Sequence, residues 1–326
     1  STSYMTTGQV FKTIIEKERA LGYEGKTVEF FQDPPREIIN RIDVCAKKNN
    51  AEIVLFEIGG TVGEYQNLLF LEANRLLKLQ KPKDVLHVHL TYLPIPSSIG
   101  EMKSKPAQMS IHQLASAGIS ADFVLARSQV AVDDKRKEKI AIACGLAPQD
   151  IISAPDVESI YQVPLNFENQ NLSAKILQIL GTKPRTSDLA SWKEMVNTSL
   201  TAKKTAKIAM VGKYFSTGDF TLADAYLSVI ESIKHAAARY DIKPKIAWID
   251  SAQIEEEGVE ILKGYDGIVV PGGYGSRAVE GIISSIKFAR ENKIPYFGLC
   301  YGMQQAAIEF ARNVCGFKDA NTTEID

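Results

Sequence analysis

The sequence predicts an α/β fold made of two domains, each built on a parallel β-sheet. Short apolar runs alternate with segments whose apolar residues recur at helical spacing, a pattern typical of strands joined by helices. Two of these runs lead directly into glycine-rich loops, and a polar, basic segment separates two stretches of the pattern. We therefore expect a first domain at residues 1–180, an interdomain linker at 181–206 and a second domain at 207–326.

Composition argues against several classes of protein. The 326 residues are 45% hydrophobic and 24% charged, and the net charge of −1 argues against binding to nucleic acid or to a membrane surface. No apolar run approaches the roughly 20 residues of a membrane span, and no signal peptide opens the chain, so a cytoplasmic protein is expected. The cysteines and histidines form no CxxC or HExxH pattern, which argues against zinc and disulfide frameworks.

The first domain is expected to alternate helices and strands. In chain order, the expected elements are a helix at 9–20, a strand at 27–31, a helix at 34–50, strands at 51–57 and 85–93, a helix at 110–117, a strand at 122–127 and a helix at 133–144. The run Ala51–Glu57 is almost continuously apolar, which is typical of a strand buried on both faces of a sheet.

Glu57 ends that run and precedes the glycine-rich loop Gly59–Gly63. A carboxylate is a hard ligand for magnesium, and glycines open backbone amides to anions, so the loop indicates metal and phosphate chemistry. The alternative is a solvated carboxylate followed by an ordinary turn. Lys103 and Lys105 flank Ser104 in a proline-bounded loop and could hold a polyphosphate, although such a pair is more often a solvated surface.

The second domain repeats the α/β pattern. Its expected elements are strands at 207–211, 245–249, 267–270 and 294–299, with helices at 221–238, 279–291 and 302–314.

Cys300 lies between the last of these strands and the last helix, in the pattern Gly298-x-Cys300-x-Gly302. Small residues two positions either side of a reactive residue permit a sharp strand-to-helix turn, as in nucleophile elbows that carry serine. A thiol at the first turn of a helix feels the positive end of the helix dipole, which favours the thiolate. The pattern predicts a nucleophile, with a small buried cysteine at a strand end as the alternative.

A second loop is expected at the same edge of the sheet. The apolar run 267–270 ends in Pro271-Gly272-Gly273, where backbone amides can approach a ligand without interference from a Cβ atom. Because the carboxyl ends of parallel strands face one crevice, Gly272 and Gly273 are predicted to offer N–H donors to an oxyanion near Cys300. An ordinary glycine-rich turn is the alternative.

Taken together, these features resemble the CTP synthase family of glutamine-dependent enzymes, which aminate UTP at the expense of ATP. The resemblance covers nearly the whole chain in one order, through Thr6–Gly8, Ile15–Arg19, Glu57–Gly63, Gly100–Pro106, Ala206–Tyr214, Asp224–Val229, Val270–Gly281 and Gly298–Asn321. It implies a P-loop-like amidoligase (synthetase) domain lacking its N-terminal part and a class I glutamine amidotransferase domain lacking its C-terminal part.

For the synthetase domain, the resemblance implies a magnesium ligand at Glu57. It also implies contacts to UTP or another nucleotide from Lys103, Lys105, Gln108, Lys139, Glu64 and Gln66. The ligands implied are Mg²⁺, ATP and UTP, with CTP as a feedback inhibitor. A homotetramer is implied because the family builds this site across subunits, and filaments of stacked tetramers are a further behaviour that the resemblance raises.

For the amidotransferase domain, the resemblance implies that Cys300 forms a γ-glutamyl thioester and releases ammonia from glutamine. Gly273 matches an oxyanion and glutamine contact, and Gln304 and Glu324 match glutamine-binding positions. Arg277 resembles an arginine linked to activation by GTP.

The chain also departs from the family pattern. No GxxxxGK[ST] P-loop occurs in it, and the histidine and glutamate that complete the family's catalytic triad would lie beyond Asp326. Gln66 stands where the family usually has glutamate, and Tyr301 replaces the usual leucine. We therefore expect a truncated chain that is inactive alone. Two alternatives are a non-catalytic nucleotide-binding or filament-assembly fragment and another cysteine-dependent amidotransferase.

Overall fold

The chain divides into two units, Ser1–Ser187 and Asp188–Asp326, each with its own hydrophobic core. The computed structural model describes residues 2–184, 188–213, 216–217, 220–221 and 226–323. The boundary between the units lies inside the segment 181–206 that the sequence assigns to a linker, and the exact limits of that linker stay a prediction.

The first unit begins with helices and continues as alternating strands and helices. Its elements are α1 (Thr7–Arg19), α2 (Asp33–Lys48), α3 (Leu68–Gln80), β1 (Val88–Tyr92), α4 (Lys105–Ser116), β2 (Phe123–Ser128), α5 (Asp134–Cys144), β3 (Ile151–Pro155), α6 (Val163–Glu168) and α7 (Leu172–Ile179).

The described residues of this unit form a three-stranded parallel sheet in the order β1-β2-β3. The central strand β2 has a neighbour on each side, and its Val124 and Ala126 are fully enclosed. Ile140 of α5 and Ile151 of β3 belong to the same core. Enclosing an aliphatic side chain of this size contributes about 1.5–3 kcal/mol, so this layer stabilises the edge where the lysine-bearing loop begins.

Two strands predicted in this unit are absent from the described residues. Segment 27–31 is an irregular connection, and segment 51–57 is irregular and largely exposed. No neighbouring strand pairs with 51–57 within the described residues, so most of its apolar side chains stay in solvent, with Leu55 95% exposed, while Phe56 packs against the core formed by α1, α2 and α3. Glu57 is therefore an exposed residue of an irregular segment instead of the end of a buried strand.

Helix α4 also begins earlier than predicted. It starts at Lys105, with Pro106 in its first turn, a position that proline favours because it has no N–H to leave unpaired. Lys105 and Gln108 therefore lie on a helix instead of in a loop, while Lys103 precedes it.

The second unit carries the remaining elements. They are α8 (Ala190–Thr201), β4 (Lys204–Gly212), β5 (Ser216–Thr217), β6 (Phe220–Thr221), α9 (Leu227–Arg239), β7 (Ile242–Asp250), α10 (Ser251–Glu257), β8 (Gly267–Val270), α11 (Val279–Glu291), β9 (Tyr296–Gly298) and α12 (Tyr301–Asn313).

Its described residues contain a four-stranded parallel sheet in the order β7-β4-β8-β9 and a short antiparallel pair, β5-β6. All four residues of β8 are buried, because β4 and β9 pair with its two edges and α11 and α12 pack nearby. The predicted α/β fold with two parallel sheets is confirmed.

The start of α9 and the expected linker also differ from the sequence analysis. Helix α9 begins at Leu227 instead of residue 221, which belongs to β6, and residues 222–225 lie outside the described ranges. Helix α8, within the expected linker, packs against α9 and β7 of the second unit. A search of the described helices finds none with the length and apolar character needed to span a membrane.

Candidate active site

Cys300 occupies the turn between β9 and α12, as predicted, with its side chain exposed. Its backbone has φ 52° and ψ −104°, a left-handed conformation that costs a residue with a Cβ atom about 1–3 kcal/mol. Strain of this kind is typical of a nucleophile elbow, which lifts the reactive atom out of the sheet. The surrounding contacts must hold the thiol in this place.

The two glycines of the motif are required by space. A Cβ atom on Gly302 would lie 2.3 Å from the carbonyl oxygen of Val270, and one on Gly298 would lie 2.5 Å from the carbonyl carbon of Gly302. Strand β8, strand β9 and the start of α12 therefore touch backbone to backbone. The Tyr296 hydroxyl adds a hydrogen bond of 2.8 Å to the Gly302 carbonyl, which ties β9 to the helix.

The first turn of α12 follows the thiol directly. Amides of Met303 and Gln304 each donate to the Cys300 carbonyl at 3.1 Å, so the helix begins directly at Cys300. The positive end of the helix dipole therefore lies at Cys300, where it favours negative charge.

The loop that follows β8 lies beside this turn. The Leu299 amide donates to the Val270 carbonyl at 2.9 Å, and a Cβ atom on Gly272 would lie 3.9 Å from the Cys300 Cβ atom. Gly273 is buried, and its N–H has no hydrogen-bond partner among the described residues. Buried backbone N–H groups are rarely left unpaired, so this one is a donor available to a ligand.

Three side chains hold the carbonyl groups of this loop. The Tyr226 hydroxyl donates to the Gly272 carbonyl at 2.6 Å. At the far end, the Gly275 carbonyl accepts from the buried Lys213 ammonium at 2.6 Å and from the Tyr301 hydroxyl at 2.7 Å. Lys213 also donates to the Tyr301 hydroxyl at 3.0 Å and lies 4.6 Å from the centre of its ring.

The remaining predicted residues of this site have different surroundings. Gln304 lies in the first turn of α12, and its side-chain oxygen is buried without a hydrogen-bond partner among the described residues, which leaves it able to accept from a ligand. Arg277 is exposed between Gly275 and α11. Glu324 lies outside the described residues.

In the first unit, two of the predicted lysines meet around one carboxylate. Lys103 binds Glu101 at 2.8 Å, and Arg136 of α5 binds it at 3.1 Å. The hydrogen bond and charge of Lys103, followed by the charges of Arg136 and Lys139, lower the pKa of Glu101. Arg136 also pairs with Asp133, so three cations face two carboxylates, a small excess of positive charge that suits a phosphate group.

The other predicted nucleotide contacts lie on α4 and in the glycine-rich loop. Lys105 is exposed on the first turn of α4, and Gln108 donates to the Ser104 hydroxyl at 3.2 Å. Glu64 accepts from the Thr61 amide at 3.0 Å and from the Gln66 side chain at 2.7 Å. The Thr61 amide, ahead of Gln66, lowers the pKa of Glu64, so the carboxylate braces its own loop here.

Glu57 lines a cavity of about 850 Å³ enclosed by the N-terminal residues, α2 and the segment 53–59. It is the single acidic side chain among the described residues of that lining. Across the described ranges, no group of three or more histidine, cysteine or acidic residues is arranged to hold a metal ion. Mg²⁺ takes octahedral oxygen coordination, usually from one or two carboxylates together with water and phosphate oxygens, so Glu57 would supply one ligand of such a site.

Comparison with known protein families separates the two units. The model described as CTP synthase N-terminus matches residues 1–182, and the model described as glutamine amidotransferase class-I matches residues 221–324. The chain belongs to the CTP synthase family. The resemblance inferred from the sequence is thereby confirmed.

Curated members of the CTP synthase family align with almost the whole chain. A CTP synthase of Thermococcus kodakarensis is 43% identical over 99% of this chain and 59% of its own length. A CTP synthase of Carboxydothermus hydrogenoformans is 45% identical over 99% of this chain and 60% of its own length. The chain thus spans about three fifths of the curated relatives that it matches.

Among solved structures, the glutaminase domain of Trypanosoma brucei CTPS with bound acivicin is 42% identical. The alignment covers 36% of this chain and 45% of that chain, with a TM-score of 0.33.

Sequence reasoning did not identify Lys213, Tyr226, Glu101 or Arg136 as parts of these sites. Tyr226 and Gly272 are 46 positions apart, and no local pattern links them. The charge run that contains Arg136 predicts only a solvated helix surface.

Proposed function

We propose that the protein containing this chain makes CTP from UTP, using ATP and the ammonia that Cys300 releases from glutamine. The observation that carries the proposal is the strained turn at Cys300, held next to the buried, unpartnered N–H of Gly273. Such an arrangement has little value for packing alone, because the strain is a cost. It suits a thiolate that attacks a carbonyl group whose oxygen needs a donor.

The glutaminase half follows from this geometry. The Cys300 sulfur bonds to the amide carbon of glutamine, and the electron pair of the C=O bond moves to oxygen, where the Gly273 N–H stabilises it. Collapse of the intermediate breaks the C–N bond, and the thiol proton leaves with ammonia. Water then hydrolyses the thioester to glutamate. The unpartnered oxygen of Gln304 is a further group able to hold the substrate.

The synthetase half is supported by the cluster around Glu101. Lys103 and Lys139 lie beside this carboxylate, so a nucleotide polyphosphate would replace one negative charge with several. We assign these lysines, with Lys105 and Gln108, to UTP. We assign Glu64 and Gln66 to a nucleotide, which requires their mutual hydrogen bond to open. ATP phosphorylates the 4-oxygen of UTP, and ammonia displaces that phosphate.

Further parts of the proposal rest on family membership. They are activation by GTP through Arg277, a glutamine contact from Glu324, feedback inhibition by CTP, a homotetramer with filament assembly, and a cytoplasmic location. The proposal also includes Mg²⁺, to which Glu57 would supply one oxygen ligand beside water and phosphate oxygens.

The test uses the full-length protein and two nitrogen sources. Cys300→Ala is expected to lower CTP formation from glutamine by at least about 10³-fold, because the nucleophile is lost. CTP formation from ammonium ions should stay within about twofold, since the synthetase half does not use the thiol. Cys315→Ala, which removes another exposed cysteine, is the matched control.

Two outcomes would contradict the proposal. A wild-type protein that consumes glutamine without converting UTP would be another cysteine-dependent amidotransferase. A Cys300→Ala variant that keeps its glutamine-dependent rate would show that this thiol is not the nucleophile.

A further inference from the structure

We propose that Tyr226 is a positioning residue of the glutaminase site: its hydroxyl fixes the Gly272–Gly273 peptide so that the Gly273 N–H meets the developing oxyanion. This inference rests on the proposed function, because it concerns how glutamine hydrolysis at Cys300 is assisted. Tyr226 itself touches neither the thiol nor the substrate carbonyl in this role.

The Gly272 carbonyl and the Gly273 N–H have a fixed relative orientation. The Gly272 carbonyl and the Gly273 N–H belong to the same peptide, and no cis peptide bond occurs among the described residues. In a trans peptide the C=O and N–H bonds point in opposite directions. The Tyr226 hydroxyl holds the Gly272 oxygen at 2.6 Å, so it fixes the Gly273 N–H to point away from the tyrosine.

The Gly273 N–H is available to a ligand beside Cys300. Gly273 is buried, and within the described ranges its N–H has no acceptor. Its neighbour Gly272 approaches the nucleophile so closely that an added Cβ atom would lie 3.9 Å from the Cys300 Cβ atom. A buried, unpaired donor beside a reactive thiol is placed for the oxygen of a bound carbonyl group.

The Gly272–Gly273 peptide needs a hydrogen bond from outside the loop to keep one orientation. Glycine accepts a wide range of backbone conformations, so a peptide between two glycines has little local preference for one orientation. The far end of the loop is held twice, because both Lys213 and Tyr301 bind the Gly275 carbonyl. The Gly272 carbonyl has one hydrogen bond among the described residues, the bond from Tyr226.

Tyr226 is itself held firmly enough for this task. It immediately precedes α9 in a left-handed conformation, with φ 57°, and packs in a cluster with Met210 and Ile230. The hydroxyl therefore reaches the loop from a fixed point on the second unit, instead of from a chain segment of the loop itself.

The consequence is a specific kinetic effect. Without the hydroxyl, the peptide rotates, and the Gly273 N–H points at the substrate oxygen for only part of the time. The oxyanion of the transition state is then stabilised less, while the binding of glutamine is unchanged. For Tyr226→Phe in the full-length protein, we expect kcat for glutamine hydrolysis to fall about tenfold while KM stays within about twofold.

Two comparisons isolate this effect. Alkylation of Cys300 by iodoacetamide develops no oxyanion, so Tyr226→Phe should leave its rate within about twofold of the wild type. Tyr240→Phe is the matched control, since it removes the hydroxyl of an exposed tyrosine at the opposite end of α9 from Tyr226. Its kcat is expected to stay within about threefold of the wild type.

A second variant guards against misfolding. Difluorotyrosine incorporated at position 226 keeps the size of the side chain but ionises near neutral pH, and a phenolate cannot donate to the Gly272 carbonyl. The kcat of this variant should fall as pH rises through the ionisation of the fluorinated phenol. A merely structural role for Tyr226 predicts the wild-type pH profile.

The outcomes separate the two proposals. A wild-type protein without glutaminase activity would overturn the proposed function. An active wild type with an unchanged kcat in Tyr226→Phe, or with an unchanged pH profile in the fluorinated variant, would overturn only the positioning role. Equal losses of hydrolysis and alkylation would also overturn it, because the nucleophile turn itself would then be disturbed.

Discussion

Two apolar runs in this chain have similar sequences and different structures. Ile53–Phe56 and Ile268–Val270 each precede a pair of glycines, and both are predicted to be buried strands. The second is strand β8, with all its residues buried between β4 and β9. The first has no strand beside it among the described residues and exposes most of its side chains.

The difference shows that an apolar run does not by itself determine whether a segment forms a strand. Apolar residues favour the interior of a sheet, but the backbone forms a strand only where a neighbouring strand accepts its hydrogen bonds. The functional loops follow the same division. The Gly272–Gly273 loop is held by the Tyr226 hydroxyl next to Cys300, whereas the loop after Glu57 is braced mainly by its own Glu64 and Gln66.

The largest difference in stability is expected between glycine substitutions in the two regions. Gly302→Ala should lower the free energy of unfolding of the second unit by about 4 kcal/mol, because the new Cβ atom meets the Val270 backbone. Gly59→Ala should change the first unit by less than about 0.5 kcal/mol, because no atom lies within 4 Å of the added carbon.

The readout differs between the two units. Both tryptophans, Trp192 and Trp248, lie in the second unit, so urea unfolding followed by their fluorescence reports Gly302→Ala. Circular dichroism follows Gly59→Ala. Equal losses for the two variants would show that the loop after Glu57 is packed as tightly as the nucleophile turn.

The next effect compares the side chains of the two runs. Ile268→Ala should cost about 3 kcal/mol, since Ile268 is 1% exposed and its removal leaves a cavity. Leu55→Ala should change the stability of the 326-residue chain by less than about 0.5 kcal/mol, since Leu55 lies in solvent. The same urea titrations measure both. A large loss for Leu55→Ala would mean that this run is covered in solution.

The smallest expected effect compares thiols of the two units. Burial raises the pKa of the Cys144 thiol to about 11, so at pH 8 only about 10⁻³ of it is thiolate. Cys300 is exposed, and iodoacetamide should label it about 100-fold faster at pH 8. Peptide mass spectrometry measures both rates. Labelling of Cys144 should rise about tenfold per pH unit below pH 11, because the neutral thiol predominates there.

A flat pH dependence for Cys144 would show that this half-buried thiol is more exposed in solution than in the structure. The measurement thus tests whether the core beside β2 and α5 is as closed as the structure shows, in contrast to the open turn at Cys300.

Those parts of the fold and site whose causes are local could be predicted from the sequence. The alternation of strands and helices in the second unit and the turn at Cys300 depend on residues a few positions apart, and both are present as predicted. Segment 51–57 was predicted wrongly because its state depends on a distant neighbour. Helix α4 could have been extended to Lys105, since Pro106 is a recognisable first-turn residue.

The supporting residues of the site could not be found in this way. Lys213 and Gly275 are 62 positions apart, and a lysine beside a glycine in a strand-end sequence gives no sign that its ammonium becomes buried. Contacts of this kind arise only when the sheet order is known, because β4 and β8 must be neighbours for Lys213 to reach the loop.

The backbone contact at Gly302 has a consequence for how relatives of this chain should be compared. Since the glycine is demanded by the packing of a helix on a strand, a homologue that has lost its glutaminase activity would still retain it. Retention of Gly298 and Gly302 in a degenerate copy therefore indicates that the domain folds, and carries no information on whether the copy still reacts.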